Sequence, residues 1–167
     1  MSYFNIDEFQ SKDGSEMPYE VKKNIRHLIK QLDVLREYLG KPIRINSGYR
    51  SVSHNKAIGG VPNSQHIVGS AADIHVSGLT PERVRDSIEY LINEGRMENG
   101  GLGVYDTFVH YNYGYRNNRW DNRSSVDSVS VVVDPSSSDA TDSPSIGSMG
   151  SGLLLVIAVF LITFIQR

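Results

Sequence analysis

His66, Asp73 and His110 are the residues whose types and surroundings could do chemistry. His66 and Asp73 stand seven positions apart in SQHIVGSAAD (64–73), with a glycine and small residues between them. Asp73 is flanked by Ala71, Ala72 and Ile74 on a stretch that reads as a buried strand. A carboxylate in such company is costly unless it is paired or bound to a metal. His110 lies between Phe108-Val109 and Tyr111, again in apolar surroundings. Two imidazoles and one carboxylate, with a fourth position open to water, form a known catalytic zinc donor set. The same three residues also allow a buried Asp–His hydrogen bond that staples two strands. The other histidines read differently. His27 falls on a helix surface, and His54 sits in a loop. His75 would share a strand face with Asp73, either behind the metal set or simply packed. The chain has no cysteine, so disulfides, thiolate zinc sites and cysteine nucleophiles are excluded.

These side chains need elements to place them. Val21, Ile25, Leu28, Leu32, Leu35 and Leu39 recur at helical spacing, and Ile29 widens the face. Pro18 near the start and Gly40 after the end predict a helix over 18–39. Ile43 and Ile45 alternate with polar residues, as in a short strand. Residues 52–65 read as a long loop broken by Gly59-Gly60 and Pro62-Asn63. AADIHV (71–76) reads as a strand. Thr80 as N-cap and Pro81 at the first position open a helix to Asn93, which Gly95 ends. Residues 101–105 and 108–112 read as two strands joined through Asp106-Thr107. That order predicts an α+β domain over residues 1–122, with a small antiparallel sheet flanked by helices.

The rest of the 167-residue chain has another character. Net charge is −2 and the isoelectric point is near 6.2, with no basic stripe, so nothing points to a nucleic-acid partner. Serine and aspartate dominate 123–147, which reads as a flexible linker, with VSVVV (129–133) as a candidate short strand. Residues 148–165 carry no charge. As a helix they would reach roughly 27 Å, enough for one lipid-bilayer span, so 148–167 is expected to be a transmembrane anchor. The first ten residues have no basic and apolar signal pattern.

SGYRS (47–51), SQHIVGSAADI (64–74), GLGVY (101–105), FVH (108–110) and RW (119–120) occur in this order. Together they resemble the zinc D-alanyl-D-alanine carboxypeptidases and their phage endolysin relatives, which share a fold with the hedgehog signalling domain. The motif S-x-H-x-x-G-x-A-x-D matches at Ser64, His66, Gly69, Ala71 and Asp73. The resemblance covers about residues 5–120 and implies zinc (Zn²⁺) on His66, Asp73 and His110. It also implies that Arg50 binds a substrate carboxylate or polarises the scissile carbonyl, a role that suits a permanent charge on a two-toothed fork. From the residue alone, a surface salt bridge is the competing account of Arg50.

The chain departs from the family in two places. Several relatives carry an acid three positions before the last histidine, where this chain has Thr107; Asp106 is one position earlier, either a general base or a turn residue. Relatives often read His-x-Asp at the last ligand, and here Asn112 follows. Tyr105 and His75 are the reserve candidates for the transition state. Two functions follow. One is a zinc peptidase, endopeptidase or carboxypeptidase, acting on peptidoglycan stem peptides. The other is a zinc-holding module that grips the cell wall, or a structural virion membrane protein, without cutting. A lone C-terminal span without an export signal would leave the domain away from the wall, and a virion-borne enzyme resolves that. A bacteriophage lytic or virion protein, anchored in a virion membrane or host envelope, is therefore expected.

Overall fold

The apolar stripe of the first long helix organises the structure, a computed structural model that describes residues 2–124. Helix α1 (Tyr19–Leu39) buries Val21, Ile25, Leu28, Ile29, Leu32 and Leu35 along one face. Each fully buried Leu or Ile contributes about 1.5–3 kcal/mol relative to exposure, so a charge at Leu28 or Leu32 would break the helix from its support. Pro18 is the N-cap rather than a helical residue. Gly40 closes the helix in the left-handed conformation, its N–H donating to the Arg36 carbonyl.

The sheet beneath α1 has five strands: β1 (Ile43–Ser47), β2 (Ala71–Val76), β3 (Leu102–Val104), β4 (Val109–Asn112) and β5 (Arg119–Asp121). Their spatial order is β1-β2-β4-β3-β5. Alternation sorts their side chains. Ile43, Ala72, Ile74, Val76, Leu102, Val109 and Tyr111 join the core with α1 and with helix α4 (Pro81–Asn93), which adds Val84, Ile88 and Leu91. Asp73, Gly103 and His110 fall on the other face.

The expected antiparallel sheet is in fact mixed, because β3 and β5 run parallel. The direction follows from connectivity. The chain reverses after β4, so the next strand runs antiparallel to β4. It pairs with β3, which is itself antiparallel to β4. Strand β5 was not foreseen, nor was the 3-10 helix Ile6–Phe9, closed by a reciprocal Asn5–Glu8 capping box. Residues 52–65 are not one loop either. They hold α2 (Val52–Ala57) and the start of α3 (Gln65–Val68), capped by Ser51 and Ser64. Such short helices show no periodicity in sequence, only their caps.

Among the described residues no helix is long and apolar enough to cross a membrane. The expected anchor at 148–167, the VSVVV patch and nearly all of the linker lie outside the described residues.

Candidate metal centre

One row across the sheet carries the site. Ser47 pairs with Asp73, Asp73 with His110, His110 with Gly103, and Gly103 with Trp120. Residues in register on one face of a sheet are neighbours, so Asp73 and His110 must meet. Ser47 reaches this face through a bulge: between Ile45 and Ser47 the β1 strand uses two steps where β2 uses one. In a regular strand, with Asn46 opposite Asp73, Ser47 would point into the core with Ile43 and Ile45.

His66 comes from outside the sheet, on α3. Gly69 ends that turn in the left-handed conformation (φ 77°) and packs against Val21 and Ile25 of α1. The turn thereby delivers a buried imidazole to the sheet row. His66 Nε2 lies 3.2 Å from His110 Nδ1 and 3.3 Å from Asp73 Oδ1, and His110 Nδ1 lies 2.8 Å from Asp73 Oδ1. His66 Nδ1 is 2.6 Å from the Gly48 carbonyl, to which it donates. In the neutral ring that leaves Nε2 as a bare lone pair aimed at the other two groups.

This arrangement fits zinc. Two ligand atoms of a tetrahedral zinc site, each at its usual bond length, stand roughly 3.3 Å apart. A lone Asp–His staple would explain the Asp73–His110 contact, but not a third, protonless nitrogen converging on it. A ring N–H donated to a backbone carbonyl is also how ligating histidines are usually oriented. Burial lowers the His66 pKa against the raising influence of Asp73, which keeps the ring neutral, as a ligand must be. For Asp73, burial pushes the pKa up. Hydrogen bonding within the site, that of His110 first, outweighs it, so the carboxyl is held well below the usual range.

Arg50 is bound into the centre. Its Nη2 donates to Asp73 Oδ2 at 2.5 Å, its Nε to Ser47 Oγ at 2.8 Å, and its backbone N–H to the His66 carbonyl. Asp73 thus gives one oxygen to the histidines and the other to the guanidinium. Arg50 Nη1 has no protein partner among the described residues. The Tyr49 N–H donates to the Phe9 carbonyl, and Gly48 packs so closely on Phe9 that a Cβ there would lie 2.6 Å from the Phe9 Cα. The N-terminal segment therefore buttresses the turn that carries Gly48 and Arg50.

The centre opens into a cleft of about 540 Å³. Tyr105, Phe108, Asn112 and Trp120 line it beside the three ligands and Arg50. The Tyr105 ring stacks on Phe108 at 4.3 Å, and its hydroxyl accepts from Trp120 Nε1 at 3.1 Å. Asp106 does not line the cleft. Its carboxylate accepts from the Ser124 backbone N–H and hydroxyl, both at 2.8 Å, so it sits as a turn residue. His75 is likewise outside the lining and contacts the Thr107 carbonyl at 3.0 Å. Asn112 is buried, and its amide donates to the Tyr115 carbonyl. His54 lies on α2, away from the site. His27 bonds Glu98 at 2.5 Å beside the Tyr113 ring, also away from it.

Sequence reasoning gave no role to Trp120. Its indole lies over Gly103, where any Cβ would collide with it, and its ring centroid is 5.3 Å from that of His110. The RW pair was visible as a motif. The position of its indole beside His110 depends on the parallel pairing of β5.

Known proteins resemble this chain. The pattern of the family Peptidase M15 matches residues 2–112, more than half of the chain. A 45-residue stretch is 47% identical to the zinc D-Ala-D-Ala carboxypeptidase of Streptomyces albus G, covering 26% of this chain and 18% of that protein. Over 96 residues the chain is 33% identical to the peptidoglycan L,D-endopeptidase MepK of Escherichia coli strain K12, covering 52% and 50%. A probable MepK of Haemophilus influenzae is 37% identical over 79 residues, covering 43% and 39%. The chain thus spans half or less of the length of these relatives.

Proposed function

The chain belongs to the peptidase M15 family, and from that premise we propose that it is a zinc-dependent peptidase acting on peptidoglycan stem peptides. The observation that carries the reading is the convergence of His66 Nε2, Asp73 Oδ1 and His110 Nδ1 at the floor of the cleft. Zinc held there would supply a Lewis acid and an acidified water. The chain's own groups do the rest. His66 is fixed through Gly48, and Arg50 orients Asp73 while its free Nη1 can meet a carbonyl oxygen. Trp120 and Tyr105 wall the site beside His110. The relatives include both a carboxypeptidase and an endopeptidase, and the bond cut is left to experiment.

A second reading has its own support. Among the described residues Asp73 is the only carboxylate lining the cleft, since Asp106 is engaged by Ser124 and Asn112 stands beside the last ligand. That favours a module that holds zinc and grips the wall without a strong general base. As part of the same proposal, the uncharged residues 148–165 anchor the domain in a bilayer. The same proposal sets the protein in a phage lytic or virion context, because a virion-borne enzyme reconciles such a span with a wall-facing domain.

The test is incubation of the zinc-loaded full-length protein with purified peptidoglycan, read by mass spectrometry, with a chelator control and an Asp73→Ala control. New muropeptides that vanish in both controls are expected, and their masses name the bond. No products from a protein shown to hold one zinc per chain would leave the wall-binding reading.

A further inference from the structure

Arg116 lines the same cleft as the zinc ligands and is exposed. Among the described residues it is the one non-glycine residue with positive φ, at 41°. A residue with a Cβ adopts that region at a cost in free energy, so a local preference does not explain the conformation. Such outliers are kept where the side chain's placement has a use.

The charge balance of the cleft suggests that use. Its charged side chains are Arg50, Asp73 and Arg116. Arg50 and Asp73 are joined at 2.5 Å and neutralise one another. The lining stretch Gly59–Gln65 carries no charge. Among the charged side chains lining the cleft, Arg116 is therefore the one without an opposite partner, since no carboxylate of the described residues meets it. Its guanidinium is steadied over the Tyr115 ring, 5.4 Å from the centroid, a contact that leaves its N–H edges free to donate. Asn112 props that segment through the Tyr115 carbonyl.

We infer that Arg116 is a specificity residue that takes a carboxylate of the bound peptide at a point remote from the scissile bond, so the cleft selects anionic peptides. The inference rests on the peptidase reading for the nature of the ligand. The two arginines then differ in role, with Arg50 serving the metal ligands and the reacting carbonyl, and Arg116 serving a carboxylate of the substrate.

The test is calorimetric titration of the zinc-loaded full-length protein with peptidoglycan stem peptides. The same peptides amidated at their carboxylates by carbodiimide coupling form the second arm. The wild type is expected to bind the free-carboxylate peptides ~10-fold or more tightly than the amidated ones. Arg116→Gln and Arg116→Gly should both shrink that ratio to ~2-fold, and Arg116→Lys should keep part of it. The glutamine variant keeps the Cβ and the strained backbone but loses the charge, so loss of selection there assigns the effect to charge and not to strain. Thermal melts confirm that each variant is folded. A wild type without preference, or an Arg116→Gln variant that keeps the full ratio, would overturn the inference. Failure of the peptidase reading shows separately, as absent cleavage, while the binding ratio still reports on Arg116.

Discussion

His66, Gly48 and Arg50, toward the β1 side of the sheet, are held by backbone and buried contacts. Tyr115, Arg116 and Trp120, toward the β5 side, are exposed or half-buried and held by side chains. On the first side the His66 ring, the Gly48 carbonyl and the Phe9 main chain form one continuous packed path. On the second side the anchors are Trp120 on Tyr105, and Arg119 on Glu89 and the Gly100 carbonyl. The difference matches two kinds of work. A metal site needs ligand atoms placed within a few tenths of an ångström, which dense packing provides. A substrate site can be built from residues that water reaches before the peptide does.

The largest break in this contrast is expected from Gly48→Ala. Its Cβ would press on the Phe9 main chain, which cannot rotate away. Overpacking of that kind costs about 1–3 kcal/mol. Moving the Gly48 carbonyl also frees the His66 ring, so zinc affinity should fall ~10–100-fold. Urea unfolding and competition with a chromophoric chelator measure the two effects. Unchanged zinc affinity would mean that the β1 side is less rigid than its packing implies.

An intermediate effect is expected on the other side. Trp120→Ala should cost about 2 kcal/mol, because the indole is only half-buried, and should lower activity ~10-fold while zinc is retained. A cycle sharpens this. Gly103→Ala should be strongly destabilising alone and nearly harmless when combined with Trp120→Ala, since the indole is what a Cβ at 103 would strike. Equal penalties in both backgrounds would show that Trp120 does not sit over Gly103 in solution.

The smallest effect concerns the exposed tether of the N-terminal segment. The Asp13 carboxylate accepts from the Ser51 hydroxyl at 2.5 Å, next to Arg50, and this bond above all holds its pKa well below the usual carboxylate range. A depressed carboxylate stabilises the fold above its unfolded pKa of about 4 and loses that contribution as pH falls toward the folded value. Asp13→Asn should therefore melt slightly lower than the wild type at pH 7, with the gap closing below about pH 4. Thermal melts from pH 7 to 2 check this. A gap that widens in acid would contradict the tether.

Much of the frame was legible in the chain. The strand 71–76 and the helix 81–93 have the bounds that alternation, Thr80 and Pro81 suggest, and α1 starts one residue later than expected. The three converging side chains were legible too, because Asp73 and His110 carry costly polar groups into apolar company and His66 shares the S-x-H-x-x-G-x-A-x-D motif with Asp73. The parallel pairing of β5 was not legible. Three residues with an alternating exposed–half-buried–exposed pattern look like a loop until their partner strand is known. The helices α2 and α3 escaped because one or two turns carry no period.

By itself the sequence determined the chemical types at the site, since ligand identity is a property of single residues, and the amphipathic elements, since periodicity is local. Only the tertiary structure decided how those residues are used. Arg50 meets Asp73 across 23 positions, and Asp106 meets Ser124 across 18. Trp120 meets His110 through two strand pairings of opposite sense. Contacts of that reach depend on register and on a bulge one residue long, and a single-residue slip would turn every side chain of a strand to the other face.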